Sequence, residues 1–163
     1  MKHTGPLWGI WKIEEPSEVL LALLQNRKEY LPQLELIRTE QRRREWLASR
    51  VLLQELTGGS ALIAYHPNGA PYLSGSSLHI SISHTKGYAA VLLQDHPAAG
   101  IDIEYRSERV SRIRSRFMNP EEEAGIDKEY ETEHLLLHWC AKETLFKMVG
   151  YEEVDFLRHL HVC

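Results

Sequence analysis

Gly100-Ile-Asp-Ile-Glu104 and Trp139-Cys-Ala-Lys-Glu-Thr-Leu-Phe-Lys147 are the two stretches that most strongly constrain how this chain folds. Alternate residues of a strand share one face, so Asp102 and Glu104 are expected to point the same way. Residues four apart on a helix also share a face, so the glutamate and the last lysine of the second stretch lie one turn apart. If the two faces meet, three carboxylates and a lysine surround one point.

The acidic set formed by Asp102, Glu104 and Glu143 matches the oxygen ligands that Mg²⁺ prefers, and Mg²⁺ commonly bridges protein carboxylates and substrate phosphates. Lys147 and Lys142 could neutralise phosphate charge beside it. The residues alone also allow a structural alternative, with solvated acids at a strand end and a surface ion pair on the helix. Both interpretations stay open on composition and spacing alone.

Composition describes an ordinary soluble chain. Its 163 residues are 43% hydrophobic and 26% charged, which allows one ordinary domain or two very small ones. The net charge of −4 provides no overall basic field for nucleic acid. The apolar runs are too short to span a membrane, and the first residues lack a secretory signal. These features predict no membrane or nucleic-acid partner. Cys140 and Cys163 have no metal-binding spacing and do not form a disulfide framework, so we predict a reducing, cytoplasmic setting.

Periodicity predicts a mixture of helices and strands. The predicted strands are Leu7–Ile13, Leu62–Tyr65, Leu78–Ser83, Tyr88–Leu93, Asp155–Val162 and a strand around Asp102. The first predicted helix is opened by Pro16 and Ser17 and has Val19, Leu20, Leu23 and Leu24 on its apolar side. The second is capped by Thr39 and runs to Leu56. The others are Arg109–Phe117, a helix after Asn119, and Glu133–Val149. In 78–83, Leu78, Ile80 and Ile82 are expected to face inward, and Ser81 and Ser83 to face the other way.

Three motifs in order resemble the 4'-phosphopantetheinyl transferases, and more narrowly their monomeric Sfp-type branch. They are Ser81-Ile-Ser-His84, Gly100-Ile-Asp-Ile-Glu104 and the Trp-x-x-Lys-Glu-x-x-x-Lys pattern of 139–147. The combination is specific, whereas either of the last two alone is weak. The resemblance implies an α+β pseudo-dimer of two similar α/β halves, residues 1–98 and residues 99–163, with the metal site in the second. Because the family continues with further strands, the second half is expected to be shortened at its C-terminus, with an exposed sheet edge.

The resemblance also implies an activity. It is the Mg²⁺-dependent transfer of the 4'-phosphopantetheine arm from coenzyme A to a serine of an acyl or peptidyl carrier protein, with release of 3',5'-ADP, as in fatty acid or polyketide biosynthesis. By matching motif, the metal ligands would be Asp102, Glu104 and Glu143, and the catalytic groups Glu143 and Lys147. Coenzyme A would contact Arg44, Ser83, His84, Lys142 and Lys147, with Arg43 as the alternative to Arg44.

Several of these residues also have a purely structural interpretation. His84 could merely close a turn, and the run Arg42–Arg44 could be a solvated helix face. The resemblance favours a phosphate-binding role for His84 and for one of the three arginines. His134 and His138 lie four apart on a helix, but they lack the flanking glutamate and third ligand of a zinc site, so packing or solvated histidines are favoured.

Residues 105–117 contain five arginines and one acid, in contrast to the acidic chain as a whole. We interpret Arg106, Arg109, Arg112 and Arg116 as a docking face for an acidic carrier protein, the alternative being a helix with solvated arginines. The resemblance implies a monomer, although an exposed sheet edge would allow pairing. Two other functions stay open: a catalytically impaired module that binds coenzyme A or a carrier protein, and a Mg²⁺-dependent nucleotide phosphohydrolase.

Overall fold

A computed structural model describes residues 5–59, 61–150 and 154–162 of the chain, and it shows an α+β protein. The elements in chain order are β1 Leu7–Lys12, α1 Ser17–Leu23, α2 Arg27–Glu35, α3 Glu40–Thr57, β2 Leu62–Tyr65, β3 Pro71–Ser74, β4 His79–Thr85, β5 Tyr88–Gln94, a 3₁₀ helix Glu108–Arg116, α4 Pro120–Ala124 and α5 Glu131–Val149. None of the described helices combines the length and apolar character that crossing a bilayer requires.

The first half is built around helix α3 and an antiparallel sheet. The sheet has the order β1-β5-β4, and β2 and β3 form a separate hairpin. Helix α3 begins where the Thr39 hydroxyl accepts the N–H of Arg42, and it ends at Gly58, whose φ of 73° is in the left-handed region. Its buried leucines, including Leu47 and Leu53, pack against the central strand β5. The capped helix and the β4–β5 hairpin confirm the predictions from sequence.

Three features of this half were not predicted correctly. Helix α2 was missed because Pro32 lies inside it and its apolar residues show little helical periodicity. In α1, Val19 and Leu23 are 45% and 46% exposed, so only Leu20 and Leu24 on the predicted apolar side are buried. The hairpin strand β3 was also missed, because Pro71 begins it and its four residues are too few for a clear alternation.

The segment 100–105, predicted as a strand, is extended but joins no sheet. It runs parallel to β4, and its backbone N–H groups donate to side-chain hydroxyls rather than to backbone carbonyls. The N–H groups of Ile101, Ile103 and Tyr105 bond the hydroxyls of Ser81, Ser83 and Thr85 at 3.1, 3.2 and 3.0 Å. Serines predicted to face away from the core are therefore covered by this segment, and Ser81 and Ser83 are buried.

The second half packs its helices around α5. Val110, Phe117, Met118 and Leu135 form its buried apolar cluster. The predicted helix over 109–117 is a 3₁₀ helix, and the short helix after Asn119 has the expected cap, completed by Glu122 as a capping box. Helix α5 begins two residues before the predicted start and ends at Gly150, as predicted.

The strand predicted at 155–162 is wrong. The carboxylate of Asp155 accepts the N–H groups of Leu157 and Arg158, and the carbonyl of Asp155 accepts the N–H of His159, so the chain turns instead of extending. The described residues from 99 to 150 and 154 to 162 contain helices and turns but no strand. The division at residue 98 and the two-fold repeat of the halves stay predictions.

Candidate active site

The acidic segment lies directly against helix α5, which is the condition on which the predicted cation site depended. Gly100 allows the close approach: a Cβ there would be 2.5 Å from the carbonyl oxygen of Thr144. The Lys147 ammonium donates to the Ile101 carbonyl at 2.9 Å and to Asp102 Oδ1 at 2.8 Å. These contacts join the middle of the chain to its last helix.

Asp102 is held by one oxygen only. Its Oδ1 accepts hydrogen bonds from Ser83 Oγ and Lys147 Nζ, both at 2.8 Å, and its side chain is 7% exposed. Its Oδ2 is buried and has no hydrogen-bond partner among the described residues. An orphaned carboxylate oxygen in a buried position is costly unless a cation or another donor completes it.

Glu104 and Glu143 are the other two acids of the predicted set. Glu104 accepts hydrogen bonds from the indole N–H of Trp139 at 3.0 Å and from the Thr85 hydroxyl at 3.3 Å. Burial, followed by the charges of Asp102 and Glu104, raises the pKa of Glu143, while Lys147 opposes the shift. The negative charges of Asp102 and Glu104 therefore disfavour the charged form of Glu143, and a positive charge beside it would relieve this.

Cys140 lies beside the same acids, but its thiol is not activated as a nucleophile. Burial and the charge of Asp102 raise its pKa to about 12. Its thiol stays protonated at neutral pH, so nucleophilic chemistry falls to other groups.

The donor set fits a hard cation, although the side chains do not converge on one as they stand. Across residues 5–59, 61–150 and 154–162, no three His, Cys, Asp or Glu side chains are gathered closely enough to hold a metal ion. Asp102 Oδ1 is taken by Lys147, and Glu104 by Trp139. The unpartnered oxygen of Asp102 and the raised pKa of Glu143 are nevertheless the features that a carboxylate site for Mg²⁺ would have without its ion.

His84 follows on β4, beside helix α3. Its ring contacts Arg42 through Nε2, and its Nδ1 is 3.4 Å from Glu45 Oε2. Burial and then the Arg42 charge lower the pKa of His84, while Glu45 opposes them. The helix therefore turns Arg42, rather than Arg43 or Arg44, toward His84, and the phosphate contact predicted for Arg44 stays a prediction. Arg44 instead donates to the backbone carbonyls of Glu15 and Ile13, and Arg43 to that of Ile37.

Lys142 does not face a ligand, which corrects its predicted contact with coenzyme A. Its side chain is 0% exposed and its ammonium donates to Glu122 at 2.7 Å and to the carbonyls of Phe117 and Phe156. All three ammonium protons are used, so no donor is left for a phosphate. Lys142 fastens α5 to α4 and to the C-terminal turn.

Two cavities open beside the acids, and Trp139 and Ile113 line both of them. The larger has a volume of about 820 Å³ and is lined by Gln41, Thr85, Lys86, Glu104, Tyr105, Arg106, Ser107, Arg109, Val110, Arg112, Ile113, Leu136 and Trp139. The smaller, of about 330 Å³, is lined by Ile113, Arg116, Trp139, Glu143, Asp155, Phe156 and Leu157. Each cavity is thus lined by one of the three predicted metal ligands and at least one arginine, and the larger also lies between residues of both halves.

Four of the five arginines in the basic strip are exposed, and the fifth is structural. Arg114 is bound to Glu123 and to Glu131, which fixes it against α4 and α5. Arg106 pairs with Glu133 at the surface. Arg109, Arg112 and Arg116 make no side-chain hydrogen bond or ion pair within the part of the chain that the structure describes.

His138 provides a pH dependence of stability. Both ring nitrogens are buried without a partner among the described residues, and burial lowers the pKa of His138. The unfolded chain therefore binds more protons than the folded chain. The contribution of His138 to stability is fully present above the ordinary histidine pKa, and it is lost as pH falls below about 6.5. His84 contributes in the same direction.

We expect His138→Leu to lose less unfolding free energy than the parent between about pH 7.5 and about pH 5.5, because it removes one such histidine. Urea unfolding at the two pH values measures this. The exposed His79→Gln is the control, and it should follow the parent. An unchanged pH dependence in His138→Leu would contradict the burial of its ring.

Comparisons with known proteins concern the family that this chain resembles. Residues 98–163 match the family model of the 4'-phosphopantetheinyl transferase superfamily. The matched part contains the acidic segment and helix α5. The chain is also 30% identical over 115 residues to the 4'-phosphopantetheinyl transferase AcpT of Salmonella typhimurium strain LT2. That alignment covers 67% of this chain, which spans about 60% of the length of that relative.

Sequence reasoning missed two contributors to the site and only partly identified a third. Trp139 was quoted as part of a motif, but its bond to Glu104 was not foreseen. Thr85 was passed over, although it is adjacent to His84. Arg42 was considered as one member of the run Arg42–Arg44, but its contact with His84 was not foreseen. For Thr85 a signal was present, because it continues the every-second-residue hydroxyl pattern of Ser81 and Ser83.

Proposed function

We propose that this chain transfers the 4'-phosphopantetheine arm of coenzyme A to a serine of an acyl or peptidyl carrier protein, with Mg²⁺ as cofactor and 3',5'-ADP as leaving group. The observation that carries the proposal is the contact between the acidic segment and α5, through Lys147 on Asp102 and Trp139 on Glu104. It joins the two motifs of the superfamily whose model matches residues 98–163. A monomeric, cytoplasmic enzyme of the Sfp-type branch, built as a pseudo-dimer, is part of the same proposal.

Phosphoryl transfer depends on positioning and on charge neutralisation more than on covalent help from the protein. Asp102, Glu104 and Glu143 would hold Mg²⁺, which when bound supplies positive charge to the pyrophosphate oxygens. Lys147 lies at the same point and adds a second cation. The oxygen of the carrier serine forms a bond to phosphorus, and the bond from phosphorus to the 3',5'-ADP oxygen breaks.

Glu143 is the group best placed to take the serine proton. Its raised pKa makes it a stronger base than an ordinary glutamate, and it lines the cavity that contains Arg116 and Trp139. His84, with Arg42 beside it, is proposed to contact the 3'-phosphate end of coenzyme A. Arg44, which lines a cavity together with Glu45 and Lys86, stays a proposed phosphate contact alongside Arg42. Ser83 keeps a place in the site, but through Asp102 rather than through a ligand.

The exposed arginines Arg106, Arg109, Arg112 and Arg116 are proposed to dock the carrier protein. Three of them line the larger cavity, and Arg116 lines the smaller one beside Glu143. A carrier bound there would have its serine near the acids. Because most of these arginines have no partner among the described residues, they would bind an acidic surface without breaking the ion pairs that the structure describes.

We expect the double variant Arg109→Glu and Arg112→Glu to raise KM for the carrier protein by about tenfold or more, with kcat little changed, because the substitutions add like charge at the rim. Initial rates against carrier concentration measure the change, and high salt should reduce the difference. The control is Arg38→Glu, exposed before α3. Equal effects of the two charge reversals would contradict docking at the strip.

The activity itself is tested by incubating the chain with an apo carrier protein, coenzyme A and Mg²⁺, and measuring the intact mass of the carrier. A carrier that gains the phosphopantetheine mass supports the proposal. An unmodified carrier with measurable coenzyme A binding indicates a binding module, and cleavage of coenzyme A in the absence of carrier indicates a phosphohydrolase. Either of these two results would replace the proposed function.

A further inference from the structure

The hydroxyls of β4 repeat one arrangement along the acidic segment. Ser83 Oγ accepts the N–H of Ile103 at 3.2 Å and donates to Asp102 Oδ1 at 2.8 Å. Thr85 Oγ1 accepts the N–H of Tyr105 at 3.0 Å and donates to Glu104 Oε2 at 3.3 Å. In each case the carboxylate belongs to the residue just before the bonded N–H.

Ser81 makes only the first of these two hydrogen bonds. Its hydroxyl accepts the N–H of Ile101 at 3.1 Å, but the preceding residue is Gly100, which has no side chain. The three hydroxyls are two residues apart on one face of β4, and the three N–H groups are two residues apart on the segment. Ser81 therefore holds backbone only, whereas Ser83 and Thr85 hold both backbone and acid.

A backbone ladder would set the register of the segment but not the direction of its side chains. A hydroxyl has one proton and two acceptor positions, so it can accept an N–H and still donate to a carboxylate. Donation from Ser83 and Lys147 to the same oxygen of Asp102 leaves Oδ2 as the unsatisfied one. The hydroxyl thus decides which carboxylate oxygen stays available.

We propose that Ser83 and Thr85 are positioning residues that orient Asp102 and Glu104 toward a shared divalent cation, while Ser81 serves only to anchor the backbone. The inference rests on the proposed function for the identity of the acid set as a cation site. It gives Ser83 a role through Asp102, in place of a direct contact with coenzyme A.

The experiment compares four variants of the full chain. Ser83→Ala removes both bonds, and Ser81→Ala removes the backbone bond alone and is the matched control. Thr85→Val removes the hydroxyl with little change of shape, and Thr85→Ser restores it. Mn²⁺ binding without coenzyme A, followed by electron paramagnetic resonance, reports on the acids independently of activity. Transfer kinetics give kcat, KM for coenzyme A and the Mg²⁺ concentration for half-maximal rate.

We expect Ser81→Ala and Ser83→Ala to lower the urea midpoint of unfolding by similar amounts, because each orphans a backbone N–H. Only Ser83→Ala and Thr85→Val should weaken Mn²⁺ binding, by about tenfold or more, and lower kcat with KM for coenzyme A nearly unchanged. Thr85→Ser should recover both. If Ser83→Ala does not fold, the comparison of Thr85→Val with Thr85→Ser, at a partly exposed position, tests the inference on its own.

Several results would overturn the inference. One is equal Mn²⁺ affinity in Ser81→Ala and Ser83→Ala, or no Mn²⁺ binding by the parent. Another is a rise in KM for coenzyme A in Ser83→Ala with kcat and metal affinity intact, which would make Ser83 a direct ligand. If the parent binds Mn²⁺ but transfers no arm, the proposed function fails while the Mn²⁺ comparison still judges the positioning role.

Discussion

Replacing Glu143 with glutamine is expected to slow transfer of the phosphopantetheine arm by about 10²–10⁴-fold while leaving the fold intact. Glutamine keeps the volume of the side chain but can neither take the serine proton nor supply negative charge to a cation. Because burial and the nearby Asp102 and Glu104 penalise the charged form of Glu143, the variant should be at least as stable as the parent. The measurements are kcat at saturating substrates and the thermal midpoint without added metal.

Glu129→Gln is the matched control, since Glu129 is exposed and lies outside both cavities. It should behave as the parent in both measurements. The thermal midpoint of the parent should rise with Mg²⁺, and that of Glu143→Gln should rise less. Turnover in Glu143→Gln within about threefold of the parent would remove Glu143 from the chemistry.

The second large effect concerns stability. Lys142→Met is expected to lower the free energy of unfolding by about 3–5 kcal/mol, because it leaves Glu122 charged and buried without its partner. Glu122 also accepts the N–H groups of Asn119 and Val162, at 3.0 and 2.9 Å, so its displacement would loosen α4 and the C-terminal turn together. Urea unfolding measures this loss of free energy, provided that the slope of unfolding free energy against urea concentration is the same in the variant and the parent.

The double variant Lys142→Met with Glu122→Gln distinguishes lost pairing from lost packing. It removes both charges and should recover most of the stability, since Gln can still accept one backbone N–H. Exposed Lys128→Met is the control for the substitution itself. A loss below about 1 kcal/mol in Lys142→Met, or a double variant no more stable than the single one, would contradict a buried ion pair at this position.

Local rules predicted the elements that carry the site. The cap at Thr39 and the glycine at 58 bounded α3, and the alternation over 78–83 placed β4 and its hydroxyls. The spacing of Asp102 and Glu104, and that of Glu143 and Lys147, predicted faces that do meet. These predictions succeeded because strand and helix periodicities alone determine which side chains share a face.

The failures have a different cause, which is competition between partners that only the folded chain brings together. The sequence does not show that Lys142 meets Glu122, twenty positions away, or that Arg44 meets the carbonyls of Ile13 and Glu15. In the same way, the hydroxyls of β4 replaced a backbone ladder along 100–105, and Asp155 folded a predicted strand into a turn. Side-chain hydrogen bonds of this kind override propensity without leaving a periodic signal.

The account depends on the acids of two distant segments acting as one cation site for coenzyme A. Crystals grown with coenzyme A and Mn²⁺, with diffraction recorded at a wavelength where manganese scatters anomalously, test this directly. We predict an anomalous peak between the carboxylates of Asp102, Glu104 and Glu143, in contact with the pyrophosphate. Coenzyme A bound with manganese elsewhere, or with no manganese beside those three carboxylates, would contradict the account.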